Sequence, residues 1–99
     1  MPTALWIALV DVTDEDKMAT YAGPAVTAIK AFGGEYLARG GNYVQLDGQD
    51  RSRNVVVRFP SLKAAEDCFK SDGYQAALKA GQGGFTRDLV IVEELDAPI

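Results

Sequence analysis

Histidine is absent from the chain. That absence removes every Ser–His and Cys–His nucleophile pair, the commonest metal ligand, and any haem site with a proximal histidine. Acid–base chemistry is left to Asp, Glu, Tyr, Lys and one thiol. Cysteine occurs once, as Cys68, so no disulfide can form within the chain, and a reduced, cytoplasmic location is the simplest fit. No metal-ligand spacing is present, and no metal is expected. Long apolar runs are missing as well: none approaches the ~20 residues of a membrane span. The N-terminal stretch MPTALWIALVDVTDED has no basic region before its apolar run and reads as a first strand rather than a signal peptide. Positive charge is scarce, since 10 Lys and Arg face 14 Asp and Glu, for a formal net charge of −4. Nucleic-acid binding needs a basic face to displace counterions, and none is visible. The nearest cluster, Arg51-Ser52-Arg53, follows Asp47 and Asp50 and reads as a solvated loop.

What remains is an ordinary globular mixture. The 99 residues are 47% hydrophobic and 24% charged, which suits one domain over residues 1–99 with a modest core. Residues 4–12, ALWIALVDV, read as a strand with Leu5, Ile7 and Leu9 on one face and Trp6, Ala8 and Val10 on the other. Both faces are apolar, so both should be covered. Thr13 can cap the following helix, with Asp16 at the reciprocal capping-box position. Met18, Tyr21, Ala22, Ala25, Val26, Ile29 and Phe32 recur at helical spacing. Gly23-Pro24 predicts a kink or restart among them. Gly33-Gly34 predicts the helix end.

EYLAR at 35–39 reads as the second strand, with Glu35, Leu37 and Arg39 on one face and Tyr36 and Ala38 on the other. NYVQL at 42–46 could form a short extra strand, and Asp47-Gly48 gives a hairpin-type turn signal. NVVVRF at 54–59 is the strongest strand signal and suits a central position. Ser61 caps a helix with Leu62, Ala65, Cys68 and Phe69 as its inner stripe. Ser71 caps a further short helix that ends near Gly81. After a QGGFTR loop, DLVIVEEL at 88–95 supplies the last strand.

The order β-α-β-β-α-β predicts an α+β, ferredoxin-like plait: a four-stranded antiparallel sheet with helices on one face. Strands with two apolar faces would leave the other sheet face bare, so a second copy is expected to cover it in a two-fold homodimer. An RNA-binding domain shares this element order. It would carry stacking aromatics in its third strand and a basic surface, and neither is present.

LWIALVDVTD, FGGEYLARGG, VVVRFPS and the Ser71 to Tyr74-Gln75 segment together resemble domain-of-unknown-function family 1330, of the dimeric α/β-barrel superfamily. The resemblance spans nearly the whole chain, in order. It implies a ferredoxin-like protomer whose sheet packs on that of its twin. Relatives in the superfamily include cofactor-free monooxygenases, lactone isomerases and haem enzymes, several with a cavity between helices and sheet. Carried over by residue, the family pattern marks Asp11, Tyr21, Arg39 and Tyr74. The family often has an arginine a few residues after the Tyr-Gln pair, and this chain has Gly81 near that place.

Each candidate has a plain structural alternative. The two glycine pairs flank a strand with the wrong polarity for a phosphate cradle, and turns explain them. Arg39 could anchor a carboxylate, enolate or phenolate, or pair with a carboxylate such as Asp11. Tyr21, Tyr74 and Trp6 could line an aromatic pocket or simply pack, and packing is favoured for Trp6 and Tyr36. Glu66-Asp67 and Glu93-Glu94 are too divergent in direction to form dyads and suit a solvated surface. Cys68 reads as a buried structural thiol. Three readings follow: a cofactor-free enzyme acting on a small anionic or aromatic molecule through Arg39 and Tyr21 or Tyr74, a non-catalytic ligand-binding dimer, or a structural dimer with a filled interior.

Overall fold

The computed structural model describes residues 2–97. Seven elements follow in order: β1 (Ala4–Val12), α1 (Glu15–Ala31), β2 (Glu35–Arg39), β3 (Arg53–Phe59), α2 (Leu62–Lys70), α3 (Asp72–Ala80) and β4 (Phe85–Glu93). The strands form one antiparallel sheet in the order β2-β3-β1-β4, the ferredoxin-like topology expected from the element order. No helix among the described residues is long and apolar enough to cross a membrane.

Alternation along β1 decides where the core lies. Ala4, Trp6, Ala8 and Val10 are buried beneath the helices with Val57 and Phe59 of β3. Trp6 sits at the centre, 5.6 Å from the Phe59 ring and edge-on to Tyr74 at 5.1 Å. Cys68 and Ala65 of α2 are also fully buried. Burial raises the Cys68 thiol to about 11, which makes it a poor nucleophile. The opposite sheet face is open. Leu5 and Ile7 are half-buried there, while Leu9, Val90 and Val92 are exposed. The expected cover on both faces is therefore present on one face of a single copy.

Local chemistry accounts for the element ends, with several shifts from the sequence reading. Asp14, not Thr13, caps α1, and its carboxylate accepts from the Lys17 N–H. Thr13 is drawn away by bonds from its backbone N–H to Gly84 O and from its hydroxyl to Gly83 O. α1 runs through Pro24 without a break, because Tyr21, Ala25, Ala28 and Ile29 hold both sides of it against the core. Gly33 takes φ +84° after the helix, as a C′ glycine should. Ser61 and Ser71 cap α2 and α3 as expected. Leu62 and Phe69 flank the α2 stripe and stay partly exposed.

NYVQL is not a strand. Residues 40–52 form an irregular connection, and Val44 and Leu46 point outward, 80% and 89% exposed. Their apolar side chains meet no neighbouring strand or sheet face in the single copy. The last strand begins three residues earlier than the apolar run suggests, at Phe85.

Gly81 does not need glycine for its φ of −98°. It needs glycine for space: an added Cβ would lie 2.4 Å from the Tyr21 Cβ and 3.1 Å from Lys17 O. A side chain there would force α1 to shift. Gly81→Ala should destabilise the fold by roughly 1–3 kcal/mol, the usual range for overpacking. Urea unfolding of the variant beside the parent checks this, and an unchanged midpoint would contradict the packing.

Candidate functional site

A β-bulge decides which way Arg39 faces. Tyr36 pairs with Val57 and Arg39 with Val55, but the register shifts between Tyr36 and Ala38, so Leu37 is the extra residue. Val55 and Val57 both face the helices and pack in or against the core. The bulge thus moves Arg39 onto the same face as Tyr36, against the plain alternation that grouped it with Glu35 and Leu37. Its guanidinium lies 4.9 Å over the Tyr36 ring.

Arg39 meets two more arginines at that face. Arg53 opens β3 opposite Val10 of β1, and Val10 is flanked on its other side by Arg87 of β4. All three line one cleft between α1 and the sheet, floored by Trp6, Ala8 and Val10 and walled by Tyr21 and Ile29. The enclosed space is about 40 Å³, enough for a small charged head group or a few waters.

The pairing of the chain's five arginines is sharply divided. Arg51 bonds Asp11 at 2.9 Å and reaches Asp88 at 3.5 Å, and Arg58 bonds Glu94 at 2.7 Å. Among the described residues, Arg39, Arg53 and Arg87 have no carboxylate within salt-bridge distance. The Arg53 Nε is buried with no hydrogen-bond partner. An acidic protein with excess carboxylates has placed none of its described ones within salt-bridge distance of these three cations. Arg53 and Arg87 are partly buried while Arg39 is exposed. Like charges brought together in partly desolvated space repel, and the unmet Arg53 donor costs free energy. An anion in the cleft would relieve both.

Behind the arginines stands a pair of phenols. Tyr21 on α1 and Tyr74 on α3 share a hydrogen bond of 2.5 Å between their hydroxyls. Arg87 Nη1 donates to the Tyr21 oxygen at 3.3 Å, and its guanidinium lies 5.1 to 5.9 Å from the rings of Phe85, Tyr21 and Tyr74. Tyr74 is fully buried. Burial, and then the neighbouring Tyr21, push its phenol far above the usual tyrosine range, with Arg87 opposing. Tyr36 is raised as well, by burial, with Arg39 opposing. The raised phenols of Tyr74 and Tyr36 keep their protons near neutral pH, so they can donate hydrogen bonds but are neither bases nor ready proton sources.

Of the residues singled out in the sequence, the structure brings Trp6, Tyr21 and Arg39 to the cleft and puts Tyr74 directly behind it. Asp11 is not brought there. Odd-numbered residues of β1 face away from the helices, so Asp11 lies on the open side, held by Arg51. Arg53 and Arg87 were not singled out. Arg53 is a strand residue rather than part of a solvated loop, and Arg51, 14% exposed at its side chain, is also more than solvated. A signal for both existed. Arg53 alternates with Val55, Val57 and Phe59, and Arg87 alternates with Leu89 and Ile91, once each strand is extended by a residue or more.

The model for the domain of unknown function DUF1330 matches residues 3–95. The chain belongs to the DUF1330 family. Among solved structures, RPA0582, a protein of unknown function from Rhodopseudomonas palustris, superposes with a TM-score of 0.79 at 16% identity, covering 97% of this chain and 85% of that one. Its methylated form gives 0.76 at 16% identity, over 96% and 82%. SnoaB, a cofactor-independent oxygenase from Streptomyces nogalater, gives 0.59 at 10% identity, over 98% and 97%. These likenesses establish the shared fold. No curated protein matches the sequence.

The raised tyrosines predict an alkaline limit for this DUF1330 protein. A phenol whose folded pKa exceeds its unfolded value adds stability that is complete below the unfolded pKa of 10.0 and lost as pH climbs toward the folded one. Absorbance at 295 nm should therefore show at least one of the four tyrosines ionising only as the protein unfolds. Tyr74→Phe should remove that late step. Full titration of a still-folded protein would contradict the burial.

Proposed function

We propose that this protein binds the anionic group of a small, partly apolar organic molecule in the cleft between α1 and the sheet. One observation carries the reading: among the described residues, the three arginines of the cleft have no carboxylate partner, while the two outside it do. Arginine's planar fork suits carboxylate, enolate or phenolate oxygens. The Tyr21 hydroxyl, backed by Tyr74, would supply a hydrogen bond beside that anion.

Cofactor-free catalysis is the first form of this reading. Arg39, Arg53 and Arg87 would stabilise negative charge that develops on an enolate or phenolate, and Tyr21, backed by Tyr74, would donate to it. The shared fold with a cofactor-independent oxygenase supports this form, though fold alone does not carry an activity. A non-catalytic binding protein using the same cleft is the second form. It is favoured by the absence of any side chain at the site placed to act as a base near neutral pH.

The protein would work as a homodimer, in the cytoplasm. Support for the dimer comes from the open sheet face. Leu9, Val90 and Val92 are exposed on it, and the apolar arm at 43–46 projects from the β2–β3 connection. The buried, reduced Cys68 suits a reducing compartment.

Thermal-shift measurements with benzoate and short aliphatic acids should raise the melting temperature. Arg39→Ala or Arg53→Ala should cut the shift strongly, and Arg58→Ala, outside the cleft, should leave it intact. Equal loss in all three would reduce the effect to general surface charge. Turnover of a stabilising compound separates the enzyme from the binding protein. For the assembly, light scattering should give twice the chain mass, and Val90→Asp should give the monomer. A monomeric parent would remove the dimer.

A further inference from the structure

The arginine cleft is too small for an organic molecule, but it does not end blindly. A second space of about 330 Å³ opens between α2 and β4. That size lies at the lower end of the ~300–1,000 Å³ typical of small-molecule sites. Trp6 and Arg87 line both spaces and form the partition between them. Beyond the partition the groove is apolar, lined by Phe69 of α2 and by Leu89 and Ile91 of β4. Its charged residues other than Arg87, Glu66 and Lys70, are exposed on α2 and neutralise each other at 3.5 Å. The single unpaired charge touching the groove is therefore Arg87, at its inner end.

Apolar walls leading to one unpaired, half-buried guanidinium describe a site for an amphiphile with a negative head. We propose that the α2–β4 groove holds the apolar body of a monocarboxylate, a chain or a single ring system, whose carboxylate reaches Arg87 and enters the arginine cleft. This rests on the reading of the cleft as an anion site and adds where the remainder of the ligand lies. Arg87 is suited to the role because aromatic faces and one long hydrogen bond hold it, and none of these competes with a carboxylate. Moving its head group toward a ligand would break no ion pair. Phe69 would set how much chain or ring the groove accepts, being 37% exposed over the groove while still 6.1 Å from Trp6.

Trp6 is the chain's one tryptophan, so its emission reports on both spaces. Titration with butanoate, hexanoate and octanoate should show Kd falling about fourfold per added methylene, as apolar burial requires. Octanol should bind at least tenfold more weakly than octanoate. Arg87→Met should erase the difference between acid and alcohol, and Arg87→Lys should restore part of it. Phe69→Ser and, independently, Leu89→Thr should flatten the chain-length dependence, while Arg39→Ala should lower all affinities and keep it. Circular dichroism confirms that each variant is folded. Octanoate binding no tighter than butanoate, or an undiminished chain-length slope in both folded groove variants, would overturn the groove as the body site. The cleft would still stand if binding of the short acids fell in Arg53→Ala. Failure of every acid to bind would overturn the groove and the cleft together.

Discussion

The architecture turns on one hydrogen bond, the 2.5 Å contact between the hydroxyls of Tyr21 and Tyr74. Two large phenols are buried where α1 and α3 cross above Trp6, and buried hydroxyls need partners. They satisfy each other. That requires the two helices to lie close, and closeness requires Gly81, where even a methyl group would strike the Tyr21 Cβ. The pair then presents one oxygen to Arg87, which anchors the guanidinium at the boundary between cleft and groove. Helix packing and the site's electrostatics are thus consequences of one contact.

The arginines give that geometry its functional meaning. Arg51 and Arg58, outside the cleft, take carboxylate partners. Two of the three cleft arginines stack instead on aromatic faces, Arg39 on Tyr36 and Arg87 on Phe85 and the two phenols, while the Arg53 Nε is left without a partner. Such stacking steadies a guanidinium while leaving its in-plane N–H groups free. A folded state that carries unmet cations beside raised tyrosines is less stable than it could be, a pattern common at binding sites. In a chain with no histidine, arginine and tyrosine are the groups available to handle charge at that place.

Much of the fold was legible from local pattern. The alternation of ALWIALVDV, the valine run, the serine caps and the glycine helix stop each depend on a few neighbouring residues, and each reappears in the structure. Local reasoning failed where a local preference met a tertiary competitor. Thr13 lost its cap to bonds with Gly83 and Gly84, some 70 residues away. The run at 42–46 has strand-like residues, yet it pairs with neither free edge of the sheet, and Val44 and Leu46 stay exposed. The candidate site was half legible: Tyr21, Tyr74 and Arg39 were named, Asp11 lies on the other face, and Arg53 and Arg87 were hidden at strand ends taken for loops.

By itself, the sequence determined the class of chemistry and the element order, because composition and short-range periodicity are properties of the chain. Without histidine or a second cysteine, the groups left are carboxylates, amines, phenols, guanidiniums and one thiol, whatever the fold. Only the tertiary structure decided which of them meet. The extra residue at Leu37 reverses side-chain parity along β2, and no alternation pattern announces a bulge that its pairing with β3 creates. That reversal carries Arg39 to the helix face. There it joins two arginines that come from strands 14 and 48 residues further along the chain, brought to one row by the register of the sheet.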